Sequence, residues 1–178
     1  MVSIDLGTAT AIAAWALVVG TLFLMYWQTR QTQQLNAANS ILVLRERFDS
    51  PRMRRQRRQL ATHLLGDRKE DLTSVEVATF FELIGALTRR KVLDVDLVWE
   101  AFGTWITSYY FALRNPVDLI GKTRSDLGDP LVFHEFEWLY HKVMDIDRHS
   151  LGPTHTAQIE QEGETRAILR SESTLDVS

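Results

Sequence analysis

No cysteine occurs anywhere in the 178 residues. That excludes disulfides, thiolate nucleophiles and any cysteine-ligated zinc or iron–sulfur centre, and it suits a reducing compartment. No segment sustains an apolar period of two, so strands are not expected. There is no glycine-rich phosphate loop, no nucleophile elbow and no kinase-type motif. Serine and histidine occur without a recognisable nucleophilic setting, and an enzyme is not expected. Lysine is scarce and no nucleic-acid-binding motif accompanies the basic residues, which argues against nucleic acid as a partner. No Lys or Arg stands before Arg30.

What is present is uneven in charge. Residues 1–58 hold eight Lys or Arg and three Asp or Glu, a net of +5, and the remainder carries −8 to reach the overall −3. A basic stretch ahead of an acidic one has meaning for contacts.

From Leu6 to Thr29 no residue is charged, and Thr8 to Trp27 is predominantly apolar. About 20 residues at a rise of about 1.5 Å is the length that crosses a bilayer core. Tyr26 and Trp27 close the run where amphipathic rings favour headgroups. A cleaved signal peptide fits less well: Asp5 precedes the run, the run is too long, and no small-residue cleavage site follows it. The arginines all follow the run, so the positive-inside rule places the N-terminus outside and the rest in the cytoplasm; in a bacterial chain that is the plasma (inner) membrane. Small residues Ala13, Ala16 and Gly20 could line a helix–helix contact within that span.

The expected organisation is all-α. It comprises a short extracytoplasmic N-terminus (1–7), a transmembrane helix (8–27), a helical stalk (28–49), a cytoplasmic bundle of about four helices (50–149) and a polar, disordered tail (150–178). Gln28 to Asp49 contains neither proline nor glycine, so the anchor helix can continue into the stalk. Ser50-Pro51 reads as an N-cap followed by proline at the first helical position, with Gly66 stopping that helix. Thr73-x-x-Glu76 reads as a capping box. Asp94 or Asp96 caps a further helix that ends at Asn115-Pro116. A short helix is expected from Pro116 to about Arg124, and Asp129-Pro130 is expected to begin the last helix, ending near His149. Three stripes recur at helical spacing: Phe81, Ile84 and Leu87; Trp99, Phe102, Trp105, Ile106 and Tyr109; Phe133, Phe136, Tyr140 and Val143. They are expected to be core, with a ligand pocket as the competing use. Gly85 and Gly103, each costing about 1 kcal/mol relative to alanine in a helix interior, are expected where helices approach closely.

The densest local feature is the arginine run Arg52, Arg54, Arg55, Arg57 and Arg58, joined by Arg45 and Arg47. Together these form the candidate interaction surface, because so many guanidiniums cannot all face a core. Partners for them could be anionic lipid, or carboxylates of this chain (Glu82, Asp94, Asp96, Glu135, Glu137, Asp145, Asp147) or of another protein. A straight stalk of about 20 residues would hold the cluster roughly 30 Å from the membrane, where a Debye length of about 8 Å removes most lipid attraction. Protein pairing is therefore preferred, which suits arginine's planar fork.

His134, Glu137 and His141 share one face of the last helix, at i, i+3 and i+7. A carboxylate-bridged metal bundle would need Glu-x-x-His on other helices, and none occurs. An ordinary face with a Glu137–His141 pair is expected instead, with no metal and no cofactor.

Four runs, SPRMRRQRRQLA, FFELIGALTRRKVLDVDLVWEAFGTWI, YYFALRNPVDLIGKTRSD and EFEWLYHKVMDID, resemble a bacterial family of uncharacterised single-span membrane proteins with a cytoplasmic all-helical domain, catalogued as a domain of unknown function. The resemblance covers residues 36–149 and implies an anchored helical domain of bacterial origin, with no catalytic residues to carry over. The function expected is a membrane-anchored interaction or scaffolding module that binds a cytoplasmic protein or forms a homo-oligomer. The alternatives are a lipid or small-molecule sensor lined by the aromatic stripe, and a membrane-associated enzyme using Glu135 or Glu137.

Overall fold

In a computed structural model, residues 19–28, 38–66, 75–115, 118–151 and 158–175 are described; all the regular structure among them is helical. The chain divides into two compact units, Met1–Asn39 and Ser40–Ser178.

In the first unit, residues 19–28 form helix α1, with its large apolar side chains exposed, from Val19 to Trp27. Among the described residues no helix is long and apolar enough to cross a membrane. Residues 8–18 of the expected span and 29–37 of the expected stalk lie outside the described residues, as do Ala13 and Ala16.

The second unit opens on helix α2, residues 38–48, counted in this unit from Ser40. Leu44 and Phe48, four residues apart, are its buried positions. The helix stops at Asp49, and Ser50 caps the next one. The Ser50 hydroxyl accepts from the Met53 N–H at 3.3 Å and donates to the Arg47 carbonyl at 2.6 Å. Pro51, whose missing N–H is not needed at a helix start, opens α3, Pro51–Leu65. Helix α4, Val75–Arg89, follows; Thr73 of the expected capping box lies outside the described residues. Lys91 turns the chain in the left-handed region, φ 59°. The Asp94 carboxylate then accepts from the Asp96 and Leu97 N–H groups, which settles Asp94 as the cap of α5, Val95–Arg114.

The short helix expected after Pro116 is α6, Leu119–Leu127, capped by Asp118 through the Gly121 N–H and closed by Gly128 at φ 64°. Asp129-Pro130 does not begin the next helix. It makes a turn, with Asp129 accepting from the Leu131 N–H at 2.8 Å, and Phe133 sits at φ 58°. A left-handed phenylalanine costs on the order of 1–2 kcal/mol. Its ring is buried, which offsets that cost and delays α7 to His134–Leu151.

The polar tail is the main departure from expectation. Residues Gln158–Ser173 form α8, packed on α3 and α5, with Thr165, Leu169 and Glu172 buried. Those positions fall at i, i+4 and i+7, one helix face, within a composition too polar to announce it.

Helix α5 is the centre of the unit, packing on α4, α6, α7 and α8; α4 also packs on α7 and α3. The expected stripes are core: Phe81, Ile84, Phe102, Ile106, Tyr109, Phe136 and Val143 are all buried, with Trp99, Trp105 and Tyr140 partly so. Phe48 is stacked on Phe80 with centroids 5.3 Å apart and meets Phe102 and Trp105 edge-on; Phe81 stacks on Phe136 at 5.2 Å. Such pairs add about 0.5–1.5 kcal/mol each beyond area burial.

Gly85 fulfils the close-approach expectation. A Cβ there would overlap the Glu135 backbone carbonyl of α7, so the absent side chain sets how near α4 and α7 come. Gly103 does not: a Cβ there would meet only the Trp99 ring on its own helix. Gly85→Ala should therefore lower unfolding stability by about 1–3 kcal/mol, because overpacking against backbone outweighs the helix-propensity gain of about 1 kcal/mol. Urea denaturation measures it; an unchanged midpoint would show that α4 and α7 can separate freely.

Candidate functional site

The arginine run lies on α3, whose inward positions are Met53, Arg57, Leu60 and Ala61. Helical geometry therefore sorts the run. Arg57 alone is buried, Arg54 is half-buried, and Arg52, Arg55 and Arg58 are exposed, as are Arg45 and Arg47 on α2.

The Arg57 guanidinium carbon lies 3.9 Å from the Phe48 ring centroid. This is a cation–π contact made away from solvent, where it is worth most. Its Nε is 3.1 Å from Glu172 Oε2 and its Nη2 is 3.8 Å from Asp49 Oδ1. Trp105 Nε1 donates to Glu172 Oε1 at 3.2 Å, so one α8 carboxylate joins α3 and α5. Nε and Oε2, though close, are not aligned for a hydrogen bond, and each is buried without such a partner among the described residues. The same is true of Arg57 Nη1, Tyr109 Oη and Thr165 Oγ1. Burial pushes the Tyr109 hydroxyl well above the ordinary phenol range. The charge of Glu172 adds to that, and Arg57 opposes it.

The exposed arginines differ. Arg52, largely in solvent, pairs with the half-buried Glu76 at 2.7 Å, and the Arg58 guanidinium reaches the Leu175 carbonyl at 3.5 Å. Arg45, Arg47, Arg54 and Arg55 form no ion pair among the described residues. Six of the seven carboxylates expected to receive the run are engaged elsewhere, Asp94 as a helix cap and Glu137 with Arg124 among them. Glu82 accepts from the Phe136 N–H, Glu135 pairs with Arg89, Asp147 accepts from Trp99 Nε1, and Asp145 sits beside Arg148. The partners it does find, Glu76, Asp49 and Glu172, were not on that list. Glu172 was hidden in the polar tail, although the Thr165–Leu169–Glu172 spacing was there to be read.

On α7, Glu137 accepts from Tyr110 Oη at 2.9 Å and pairs with Arg124 at 2.8 Å. Arg124 also donates to the Val132 carbonyl. His134 and His141 are exposed, and His141 meets the Tyr140 ring edge-on at 5.2 Å. The Glu137 contacts are thus with Tyr110 and Arg124, where His141 was expected. Among the described residues no three His, Cys, Asp or Glu side chains gather as a metal site. Burial pushes the Glu137 carboxyl upward, but hydrogen bonds from Arg124 and Tyr110 and the charges of Arg124 and Arg114 outweigh it, so the group sits below its usual value. Tyr110 is pushed up, first by burial and then by Glu137.

These features describe an all-helical domain with a cationic edge on α2 and α3, one guanidinium being drawn inside under α8. The chain belongs to the family described as Domain of unknown function (DUF4760), which it matches over residues 2–143. Helix α8 lies beyond the matched residues. No curated protein and no solved structure matches the chain significantly.

Two expectations follow. Glu172→Leu strands the Arg57 charge and should weaken α8 docking by about 3–5 kcal/mol, whereas Arg57→Met with Glu172→Leu should recover most of it, because an apolar pair of similar volume replaces a buried ion pair at little net cost. Amide-exchange protection of α8 reports both variants; equal loss in both would mean the pair does not govern docking. For Glu137, the folded-state pKa lies below the ordinary glutamate value of about 4.5. The unfolded chain therefore binds the extra proton, and the stabilisation is complete above about pH 4.5 and lost as pH falls through the lower folded value. The stability gap between the natural chain and Glu137→Gln should narrow from pH 6 to pH 3 in urea titrations. A constant gap would overturn this assignment.

Proposed function

We propose that the chain is an interaction module held at the cytoplasmic face of a bacterial plasma membrane by its apolar segment Thr8–Trp27, and that the arginine edge of α2 and α3 binds an acidic surface of a cytoplasmic protein. The observation that carries this reading is the set Arg45, Arg47, Arg54 and Arg55, solvent-facing or half-buried on two consecutive helices with no carboxylate of the described residues in reach. Arginine offers carboxylates two parallel hydrogen bonds, so the edge suits Asp- or Glu-rich protein better than a point-charge ligand. The uncharged run Leu6–Thr29 and the arginines that follow it support the anchor and its orientation.

The test is in-cell crosslinking followed by recovery of the full chain from carbonate-washed membranes, comparing the natural chain with Arg54→Glu/Arg55→Glu. The natural chain should stay in the washed membranes and carry a stoichiometric acidic protein. The double variant should lose that protein while keeping its helical circular dichroism, and raised salt should weaken the natural complex, since exposed charges are screened. Complexes unchanged by the reversal would remove these arginines from the reading, and release of the chain by carbonate would remove the anchor.

A further inference from the structure

Helix α8 is joined to the rest of the unit in an unusual way. Among the described side chains, the buried apolar core runs from Leu44 to Val143, and α8 adds only Leu169 to it. The body therefore has a core of its own without α8. The other buried positions among the described side chains of α8 are polar, namely Thr165 and Glu172. Among the described residues, six buried side-chain polar atoms lack a hydrogen-bond partner, and five of them belong to Arg57, Tyr109, Thr165 and Glu172, the groups that α8 brings or covers. A contact built this way selects its partner and register more than it stabilises, because desolvating the two charges cancels much of their attraction. Breaking it leaves the aromatic core between α4, α5 and α7 intact.

We propose that α8 is an exchangeable arm: two copies of this chain pair by each placing α8 in the other's groove between α3 and α5, with Glu172 of one copy on Arg57 of the second. The occupant is fixed by the structure itself, since a segment that fits the groove within one chain fits the same groove of another. Every contact of the arm is conserved in the exchange: Arg57 with Glu172, Trp105 with Glu172, and Arg58 with the Leu175 carbonyl. The balance between closed single copies and exchanged pairs is then set by concentration. The six residues 152–157 that join α7 to α8 include Gly152 and Pro153. This pairing uses Arg57, Arg58 and the groove, not Arg45, Arg47, Arg54 or Arg55, and stands apart from the binding of an acidic partner.

The natural absence of cysteine makes the test direct. Arg58 and Leu175 are neighbours across the contact, 3.5 Å apart from guanidinium to carbonyl. Full-length chains carrying Arg58→Cys alone are mixed with chains carrying Leu175→Cys alone, in mild detergent, and treated with a short bis-maleimide. Exchange predicts a linked heterodimer on a denaturing gel. Adding Glu172→Arg to the Leu175→Cys chain should reduce its yield by about a hundredfold or more, and adding Arg57→Glu to the Arg58→Cys chain should restore it, since the opposite charges then meet only between copies. A mixture that stays unlinked, while a chain carrying both cysteines links internally, overturns the proposal and leaves α8 as a fixed part of one copy. Arg54→Glu/Arg55→Glu should leave the heterodimer intact, so failure of the exchange and failure of the acidic-partner reading are separately visible.

Discussion

The burial of one guanidinium organises this domain. Arg57 enters the interior because it falls in phase with Met53, Leu60 and Ala61 on α3, and a charge so placed requires both a carboxylate and a surface it can lie against. Phe48 supplies the surface at 3.9 Å. That ring is also where α2 meets Phe80 of α4 and Phe102 and Trp105 of α5. Asp49 is half in solvent and 3.8 Å away, whereas Glu172 is buried and 3.1 Å away. The closer, drier partner comes from α8. The position of the C-terminal helix is thus tied to the phase of α3, and the α2–α3 corner to a ring shared by two further helices.

The three tryptophans of this unit show how the remaining amphipathic groups are used. Trp99 donates to Asp147, Trp105 donates to Glu172, and the Trp138 ring lies 6.0 Å below the Arg89 guanidinium. Each ties one helix to another through its polar edge or its face while its rings pack on the core. Together the three side chains tie α4, α5, α7 and α8 to one another.

Features set by neighbours within a few residues were legible in the sequence. Ser50-Pro51, Gly66 and Asp94 are local capping chemistry, and the Phe81, Trp99 and Phe136 stripes follow from a helical period. Gly85 was readable as a close approach because a mid-helix glycine needs a reason. Gly103 carried the same signal and has a different surrounding, which only the tertiary packing decides. The start of α7 was not legible, because Asp129-Pro130 imitates a helix start, and what overrides it is burial of the Phe133 ring, itself expected as core. Arg57 could have been separated from its neighbours by the apolar phase of α3. Glu172 could not be paired with it, since nothing local links residues 115 positions apart.

Once Arg57 is accounted for, the exposed arginines remain unexplained by folding. Arg54 and Arg55 stand four and three residues from Arg58, spacings at which like charges on a helix repel by a few tenths of a kcal/mol each. No carboxylate of the described residues offsets Arg54 or Arg55, and Arg58 reaches only a carbonyl. The two faces of α3 thus have different physics. Inside, a charge is paired within the fold; outside, charges of one sign are held together at a small expense in stability. A surface that keeps such an expense gains from it only when an anion approaches, which is why the reading placed on this edge is recognition rather than architecture.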